Sequence, residues 1–127
     1  NCGRIGRLPQ ELPLKDFLEI CRDRLHTNGL RYYDSGRRVK RVAVLGGSGG
    51  DEVMTAFEKG CDTYLTSDIK YHQFLLAQEL GINLIDGDHF GTEDPVIDTL
   101  REKLTARFPD TAFDKAKRHL PVVKFFC

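Results

Sequence analysis

The chain has 127 residues, of which 40% are hydrophobic, and its 19 basic and 19 acidic side chains give a formal net charge of zero at pH 7. A chain of this length suits one domain that buries roughly two thirds of the surface exposed by its unfolded form. Zero net charge excludes the long-range attraction on which a dedicated binder of nucleic acid or anionic membrane depends.

No apolar run in the sequence approaches the roughly 20 residues that a membrane span requires. The four cysteines, Cys2, Cys21, Cys61 and Cys127, are widely spaced and form no Cys-x-x-Cys pair, which favours free thiols in a cytoplasmic environment. The sequence begins at Asn1, with neither a methionine nor the apolar core of a signal peptide, and we expect it to be a piece of a longer protein.

The first elements predicted along the chain are an irregular segment, a helix and two strands. Residues 1–13 mix Gly, Pro and Arg and predict an irregular lead-in. Apolar residues at i, i+3, i+4 spacing predict an amphipathic helix that begins at Pro13 and stops at Asn28. Short strands are predicted over 30–33 and 42–45, separated by a turn and a basic cluster.

Three strand-turn-helix units then follow. The strands are predicted over 42–45, 63–66 and 83–85, and the helices that follow them end near residues 59, 80 and 108. The intervening turns are Gly46-Gly47-Ser48-Gly49-Gly50, Ser67-Asp68 and Asp86-Gly87-Asp88-His89. Such repeats predict a single α/β domain over 1–127, with a mixed, mainly parallel sheet and crossover helices. A last strand is predicted over 121–126.

The three turns predict a functional site, because ligands of such sheets bind outside the carboxyl ends of the strands. The first turn would place backbone N–H groups at a helix N-terminus, where phosphate or carboxylate is favoured. Its residues Gly46, Gly47, Ser48 and Gly49 are therefore candidate substrate-binding residues. A tight turn that needs positive φ angles explains the glycines equally well.

His89 and Glu93 are the candidate metal ligands, because imidazole nitrogen and carboxylate oxygen both suit Zn, Mn or Fe, and a helical spacing of four brings them together. A solvated surface pair is the alternative. Two ligands are also too few for a catalytic metal site, which would have to recruit nearby side chains or ligands from another segment. The nearby recruits are Asp68, His72, Asp86 and Asp88.

Asp68, Lys70 and His72 open the second crossover helix. Asp68 is the predicted N-cap of that helix. Lys70 and His72 lie in its first turns, where a cation opposes the helix dipole, so helix stability does not explain them. They are candidates for contact with an anionic substrate or for proton transfer.

Four segments of the sequence, in order and at approximate spacing, resemble the C-terminal half of the Nif-three-like family, whose members are often named GTP cyclohydrolase I type 2 homologues. The segments are Gly3-Arg4-Ile5-Gly6-Arg7-Leu8-Pro9, Val42-Ala43-Val44-Leu45-Gly46-Gly47-Ser48-Gly49, Tyr64-Leu65-Thr66-Ser67-Asp68-Ile69-Lys70-Tyr71-His72 and Gly81-Ile82-Asn83-Leu84-Ile85-Asp86-Gly87-Asp88-His89-Phe90-Gly91-Thr92-Glu93. The resemblance covers nearly the whole chain.

The resemblance implies one half of a duplicated α/β fold whose halves enclose a cleft with two divalent metals. His89 and Glu93 map onto the two ligands of the C-terminal half. The resemblance places Asp68, Lys70 and His72 in a segment that lines the cleft, which implies that all three are catalytic candidates that contact the substrate or transfer a proton. The other ligands are a His-His pair and an Asp of the N-terminal half. No His-His pair occurs in this sequence, so the N-terminal half is expected to be a missing partner. The family also implies a homo-oligomer, typically a hexameric ring.

The leading hypothesis is a metal-dependent hydrolase that acts on a nucleotide or a phosphorylated small molecule. A non-enzymatic metal-binding or interaction scaffold is the alternative, and a flavodoxin-like or phospho-receiver domain is a weaker one. Asp88 stands where family members usually have Gly, which makes its carboxylate a candidate hydrogen-bond partner of His89.

Overall fold

The strand-turn-helix repeats fold into one five-stranded sheet in the computed structural model, which describes residues 3–124. The strands are β1 (Arg4–Leu12), β2 (Arg31–Tyr33), β3 (Val39–Ser48), β4 (Thr63–Ser67) and β5 (Asn83–Asp86). The helices are α1 (Leu14–Leu25), α2 (Val53–Glu58), α3 (Tyr71–Leu80), α4 (His89–Glu93) and α5 (Pro95–Arg107), with a 3-10 turn over Gly50–Glu52. The strand order is β1-β3-β4-β5-β2.

The three central strands, β3, β4 and β5, are parallel, whereas β1 and β2 pair with them antiparallel at the two edges. Every residue of β4 and β5 is buried, as expected for parallel strands that are covered on both faces. The predicted α/β class with a mixed, mainly parallel sheet is therefore confirmed. Because the three parallel strands end at the same edge, the turns that follow them are brought together.

Side chains that alternate along the strands form a separate apolar cluster on each face of the sheet. Tyr64 and Leu84 pack in the cluster that contains residues of α2 and α3. Their neighbours Leu65 and Ile85 pack in the cluster that contains residues of α1. No residue of α5 is buried, so this helix does not form part of either cluster.

Residues 1–13 were predicted to be irregular, and for the described part of this segment that prediction is wrong. Strand β1 lies at the edge of the sheet and contains no buried residue, so it lacks the alternation of apolar and polar residues that marks a half-buried strand. The pairing register shifts between Arg7 and Leu12, which accommodates Pro9 in an edge strand. Strand β3 is also longer than predicted, and it includes Gly46, Gly47 and Ser48.

The strand predicted over 121–126 is wrong for residues 121–124, which adopt no regular structure, while Phe125 and Phe126 lie outside the described residues. Strands β1 and β2 already occupy the two edges of the sheet. Within residues 3–124, no helix combines the length and the apolar character that crossing a bilayer requires.

Two of the four cysteines lie within the described residues, and both are free thiols, as predicted. Cys21 and Cys61 are buried. Burial raises the pKa of the Cys21 thiol to about 12, so this side chain behaves as a small apolar residue rather than as a nucleophile. Cys2 and Cys127 lie outside the described residues.

Candidate functional site

The carboxyl ends of β3, β4 and β5 and the turns that follow them meet around helix α4. The Nδ1 atom of His89 lies 2.7 Å from Oδ2 of Asp68, which follows β4. The hydroxyl of Thr92 accepts a hydrogen bond from the backbone N–H of Gly47 at 3.0 Å, and it lies 3.3 Å from the hydroxyl of Ser67. The convergence predicted from the three turns is therefore present in the structure.

The buried carboxylate of Asp86 ties the turns after β4 and β5 together. Its Oδ2 accepts a hydrogen bond from the N–H of Ile69 at 3.2 Å and pairs with the guanidinium of Arg31. Its Oδ1 accepts from the N–H of Asp88 at 3.3 Å. A carboxylate with these three partners fixes the backbone on both sides of the site, so Asp86 acts as a structural anchor here.

Asp68 does not cap helix α3, which corrects the prediction from the sequence. An N-cap residue has extended backbone, and Lys70 at the start of α3 has it, with φ −82° and ψ 156°. Asp68 instead has a left-handed φ of 56°, a conformation that Asp tolerates better than most residues. This conformation accompanies the contact of its carboxylate with His89.

The His89 ring lies between two carboxylates, one on each nitrogen. Asp68 contacts Nδ1, and Oε2 of Glu93 lies 3.3 Å from Nε2. The Asp68 hydrogen bond is the main cause of a raised pKa for His89. If Nδ1 carries the proton that is donated to Asp68, the lone pair of Nε2 faces the Glu93 carboxylate. Nε2 and the carboxylate oxygen are then both acceptors, and they need a cation between them. A proton or a metal ion can satisfy both.

The geometry of His89 and Glu93 fits two ligands of one divalent metal. Two ligands that are each about 2.1 Å from a tetrahedral ion lie roughly 3.4 Å apart, close to the 3.3 Å observed between Nε2 and Oε2. Metal-bound histidines also commonly donate their other N–H to a carboxylate, as Nδ1 is placed to do with Asp68.

The residues described, 3–124, contain no group of three or more His, Cys, Asp or Glu side chains that could hold a metal ion. Asp68 and Glu93 contact opposite nitrogens of the same ring, so they cannot converge on one ion together with it. Of the other predicted recruits, Asp86 is held by its own hydrogen bonds. Asp88 accepts from the N–H of Gly91 at 3.4 Å, so the partner of His89 is Asp68 rather than Asp88.

The glycines at the end of β3 make room for helix α4. A Cβ atom on Gly47, which has φ +71°, would lie 2.4 Å from Oε1 of Glu93, and one on Gly46 would lie 2.8 Å from the carbonyl oxygen of Thr92. The N–H groups of Gly47 and Gly49 donate to Thr92 and to the carbonyl of Ser67. A role of Gly46, Gly47, Ser48 and Gly49 in substrate binding stays a prediction.

Lys70 and His72 are exposed at the start of α3. Neither residue lines the cavity of about 960 Å³ that adjoins His89 and Glu93. That cavity also has an apolar and aromatic wall, which includes Phe90 and the segment 120–123. The roles predicted for Lys70 and His72 therefore depend on the substrate reaching across the edge of the sheet.

Sequence reasoning missed Thr92, although it lies within the His89-to-Glu93 spacing. Its hydroxyl donates to the carbonyl of His89 at 3.1 Å and also contacts the ends of β3 and β4. These partners are far apart in the sequence, and only the fold brings them together. The ring of His119, which sequence reasoning also did not place at the site, lies 5.0 Å from that of Phe90 at the cavity.

Comparison with known proteins identifies relatives along most of the chain. A family model described as Duf34/NIF3 (NGG1p interacting factor 3) matches residues 1–119. A protein of Nostoc sp. named GTP cyclohydrolase 1 type 2 homolog is 42% identical over 105 residues, which are 80% of this chain and 40% of the relative. A protein of Bacillus subtilis with the same name is 38% identical over 112 residues, which are 87% of this chain and 30% of the relative.

A solved structure shows the same fold. The crystal structure of a Bacillus cereus protein related to NIF3 matches with a TM-score of 0.81 and 32% identity, over 99% of this chain and 36% of that protein. This chain therefore spans well under half the length of the relatives that it matches.

Proposed function

This chain belongs to the Duf34/NIF3 family, and on that premise we propose that it provides a metal-binding domain of a divalent-metal-dependent hydrolase. The observation that carries the proposal is the 3.3 Å approach of His89 Nε2 to Glu93 Oε2 while Asp68 contacts Nδ1. We propose His89 and Glu93 as the ligands, with Zn, Mn or Fe as the metal that suits this donor pair.

The proposed substrate is a nucleotide or another phosphorylated small molecule. The support for this class is the name of the relatives, GTP cyclohydrolase 1 type 2 homolog, which belongs to those proteins. A bound metal would supply Lewis-acid activation of water for attack on the substrate. Lys70 and His72 are proposed to face anionic groups of the substrate or to transfer a proton, because basic side chains at the start of α3 do nothing to offset its helix dipole.

Asp68 would act on the metal indirectly. A carboxylate 2.7 Å from Nδ1 fixes the ring orientation and favours the tautomer with the proton on Nδ1. The lone pair of Nε2 is then available on the side where Glu93 lies. We propose a positioning role for Asp68 in place of the proton transfer considered from the sequence.

The remaining ligands are proposed to come from another part of the same protein. Catalytic metal sites generally use three or more protein ligands, whereas residues 3–124 contain no group of that size. The relatives are more than twice as long as this chain, which leaves room for a second half that supplies the other ligands. A homo-oligomeric ring is the proposed assembly in which the two halves form the complete site.

The test is a screen of nucleotides with Mn, Zn or Fe in the full-length protein. We expect metal-dependent turnover that disappears in Glu93→Gln, and bound metal that falls in His89→Ala by elemental analysis. Glu79→Gln on the exposed surface of α3 is the matched control for charge, and it should change neither readout. Unchanged metal content in His89→Ala would refute the ligand assignment.

The second candidate is a non-enzymatic metal-binding or scaffold protein. It is favoured by the small number of ligands gathered within the described residues. Metal binding that depends on His89 and Glu93, without turnover of any nucleotide in the screen, would support this candidate over the hydrolase.

A further inference from the structure

The end of strand β3 lies unusually close to the Glu93 side chain. A Cβ atom built on Gly47 would lie 2.4 Å from Oε1, 3.2 Å from Cδ and 3.6 Å from Cγ of Glu93. Real side chains do not tolerate the first of these distances, so a residue larger than glycine at this position must displace something. The space above Gly47 is therefore occupied by the carboxylate of a proposed metal ligand.

Helix α4 cannot simply move away from Gly47 to relieve such a collision. The N–H of Gly47 donates to the hydroxyl of Thr92 at 3.0 Å, and that hydroxyl donates to the carbonyl of His89 at 3.1 Å. Gly47 is therefore tied by its own backbone to the residue that precedes Glu93. The flexible end of the Glu93 side chain is the group that gives way most easily.

Displacing the Glu93 carboxylate would change the 3.3 Å distance between its Oε2 and Nε2 of His89. Relief of the collision requires a shift of about 1 Å, the difference between 2.4 Å and an ordinary van der Waals contact. Metal-ligand distances are generally maintained within about 0.2 Å, so a shift of this size takes Oε2 out of range of an ion held by Nε2.

We infer that Gly47 is a positioning residue for the metal site: its missing side chain leaves the space that holds the Glu93 carboxylate beside His89. This inference rests on the proposed function, because it assigns to Gly47 an effect on the metal through Glu93. It gives Gly47, at the end of β3, a steric role that differs from substrate binding by its backbone.

The test compares Gly47→Ala with Gly60→Ala. The two glycines have almost the same left-handed φ, +71° and +72°, but a Cβ on Gly60 would meet nothing within 4 Å. Both substitutions therefore introduce a similar backbone strain, and only the one at position 47 collides with Glu93. The probe is Zn²⁺ alone, added to the 127-residue chain and followed by NMR of the histidine rings.

We expect Gly47→Ala to weaken Zn²⁺ binding at His89 by about tenfold relative to Gly60→Ala, the size typical of changes beside a metal ligand. Equal affinities in the two variants would overturn the inference. If Glu93→Gln itself leaves the affinity unchanged, the proposed function is wrong and the inference falls with it. If Glu93→Gln weakens binding and Gly47→Ala does not, only the inference is wrong.

A metal-free measurement covers the case in which Gly47→Ala folds poorly. The urea midpoint should fall further in Gly47→Ala than in Gly60→Ala, and this excess should disappear when Glu93 is also changed to alanine. An excess that persists in the double variant would show that the methyl group added at position 47 collides with the backbone, which would overturn the steric role assigned to Glu93.

Discussion

Replacement of Asp86 by alanine should loosen both turns that form the candidate site. Its side chain is only 8% exposed, and its carboxylate accepts hydrogen bonds from the N–H groups of Ile69 and Asp88 and pairs with Arg31. The first of these N–H groups belongs to a buried residue, so the lost acceptor is not replaced by water at that position. The side chains of Asp68 and His89 are carried by the turns that Asp86 holds.

The expected loss of stability can be worked out from these contacts. A hydrogen bond to a charged group contributes about 1.5–3 kcal/mol, and the contact to Ile69 lies at the upper part of that range because it is buried. The contact to Asp88 is long at 3.3 Å, and the side chain of Arg31 is 61% exposed, so both add little. We therefore expect Asp86→Ala to lower the free energy of unfolding by about 3 kcal/mol.

Urea unfolding at pH 7 measures this loss, with Asp110→Asn on the exposed surface as the control for removal of a carboxylate. The control should change stability by less than about 0.5 kcal/mol. Backbone NMR shifts of Asp86→Ala should change most at residues 67–70 and 87–89. A loss below about 1 kcal/mol, or shifts confined to the strand, would refute the anchoring role of Asp86.

Three further changes test other parts of the structure. Because Asp68 raises the pKa of His89, their contact stabilises the fold below the unfolded-state pKa of about 6.5, and this stabilisation is lost as pH rises through the folded-state pKa. Asp68→Asn should therefore lower the urea midpoint more at pH 5.5 than at pH 8.5. Equal losses at the two pH values would contradict this reasoning. Thr92→Val should lower the free energy of unfolding by about 1–2 kcal/mol, because it leaves the N–H of Gly47 without its acceptor, whereas Thr92→Ser should have a stability near that of the parent. Equal losses in the two variants would show that the hydroxyl is not the stabilising group. Cys21, with a pKa of about 12, should resist thiol reagents at pH 8 until urea unfolds the chain. Peptide mapping that finds rapid labelling of Cys21 in the folded chain would refute its burial.

The sequence predicted the central part of the fold well because the parallel strands are buried on both faces. Their apolar runs, each followed by small polar residues, are visible without any knowledge of tertiary contacts. Strand β1 was missed because an edge strand with no buried residue carries no such pattern. The strand predicted over 121–126 followed β propensity alone, and propensity does not reveal that both edges of the sheet are already paired.

For the candidate site, the spacing of His89 and Glu93 was sufficient to predict that they meet, because a helical turn brings residues i and i+4 together. The contact between Asp68 and His89 was not predictable in the same way. It joins two turns that are distant in the sequence and is accompanied by a left-handed φ at Asp68. The steric demand at Gly47 likewise arises only when β3 and α4 are packed together.

The central claim is that His89 and Glu93 bind one divalent metal while Asp68 holds the ring, and Zn²⁺ titration of the chain with ¹⁵N-labelled histidine tests it most directly. Before metal is added, the nitrogen shifts of His89 above its pKa should show the proton on Nδ1. Zn²⁺ should then shift Nε2 of His89. Because Glu93→Gln removes a direct ligand, it should weaken this binding by at least the roughly tenfold typical of changes beside a ligand, while Glu79→Gln leaves it unchanged. A proton on Nε2, or Zn²⁺ shifts at His89 that are the same in Glu93→Gln, would contradict the claim.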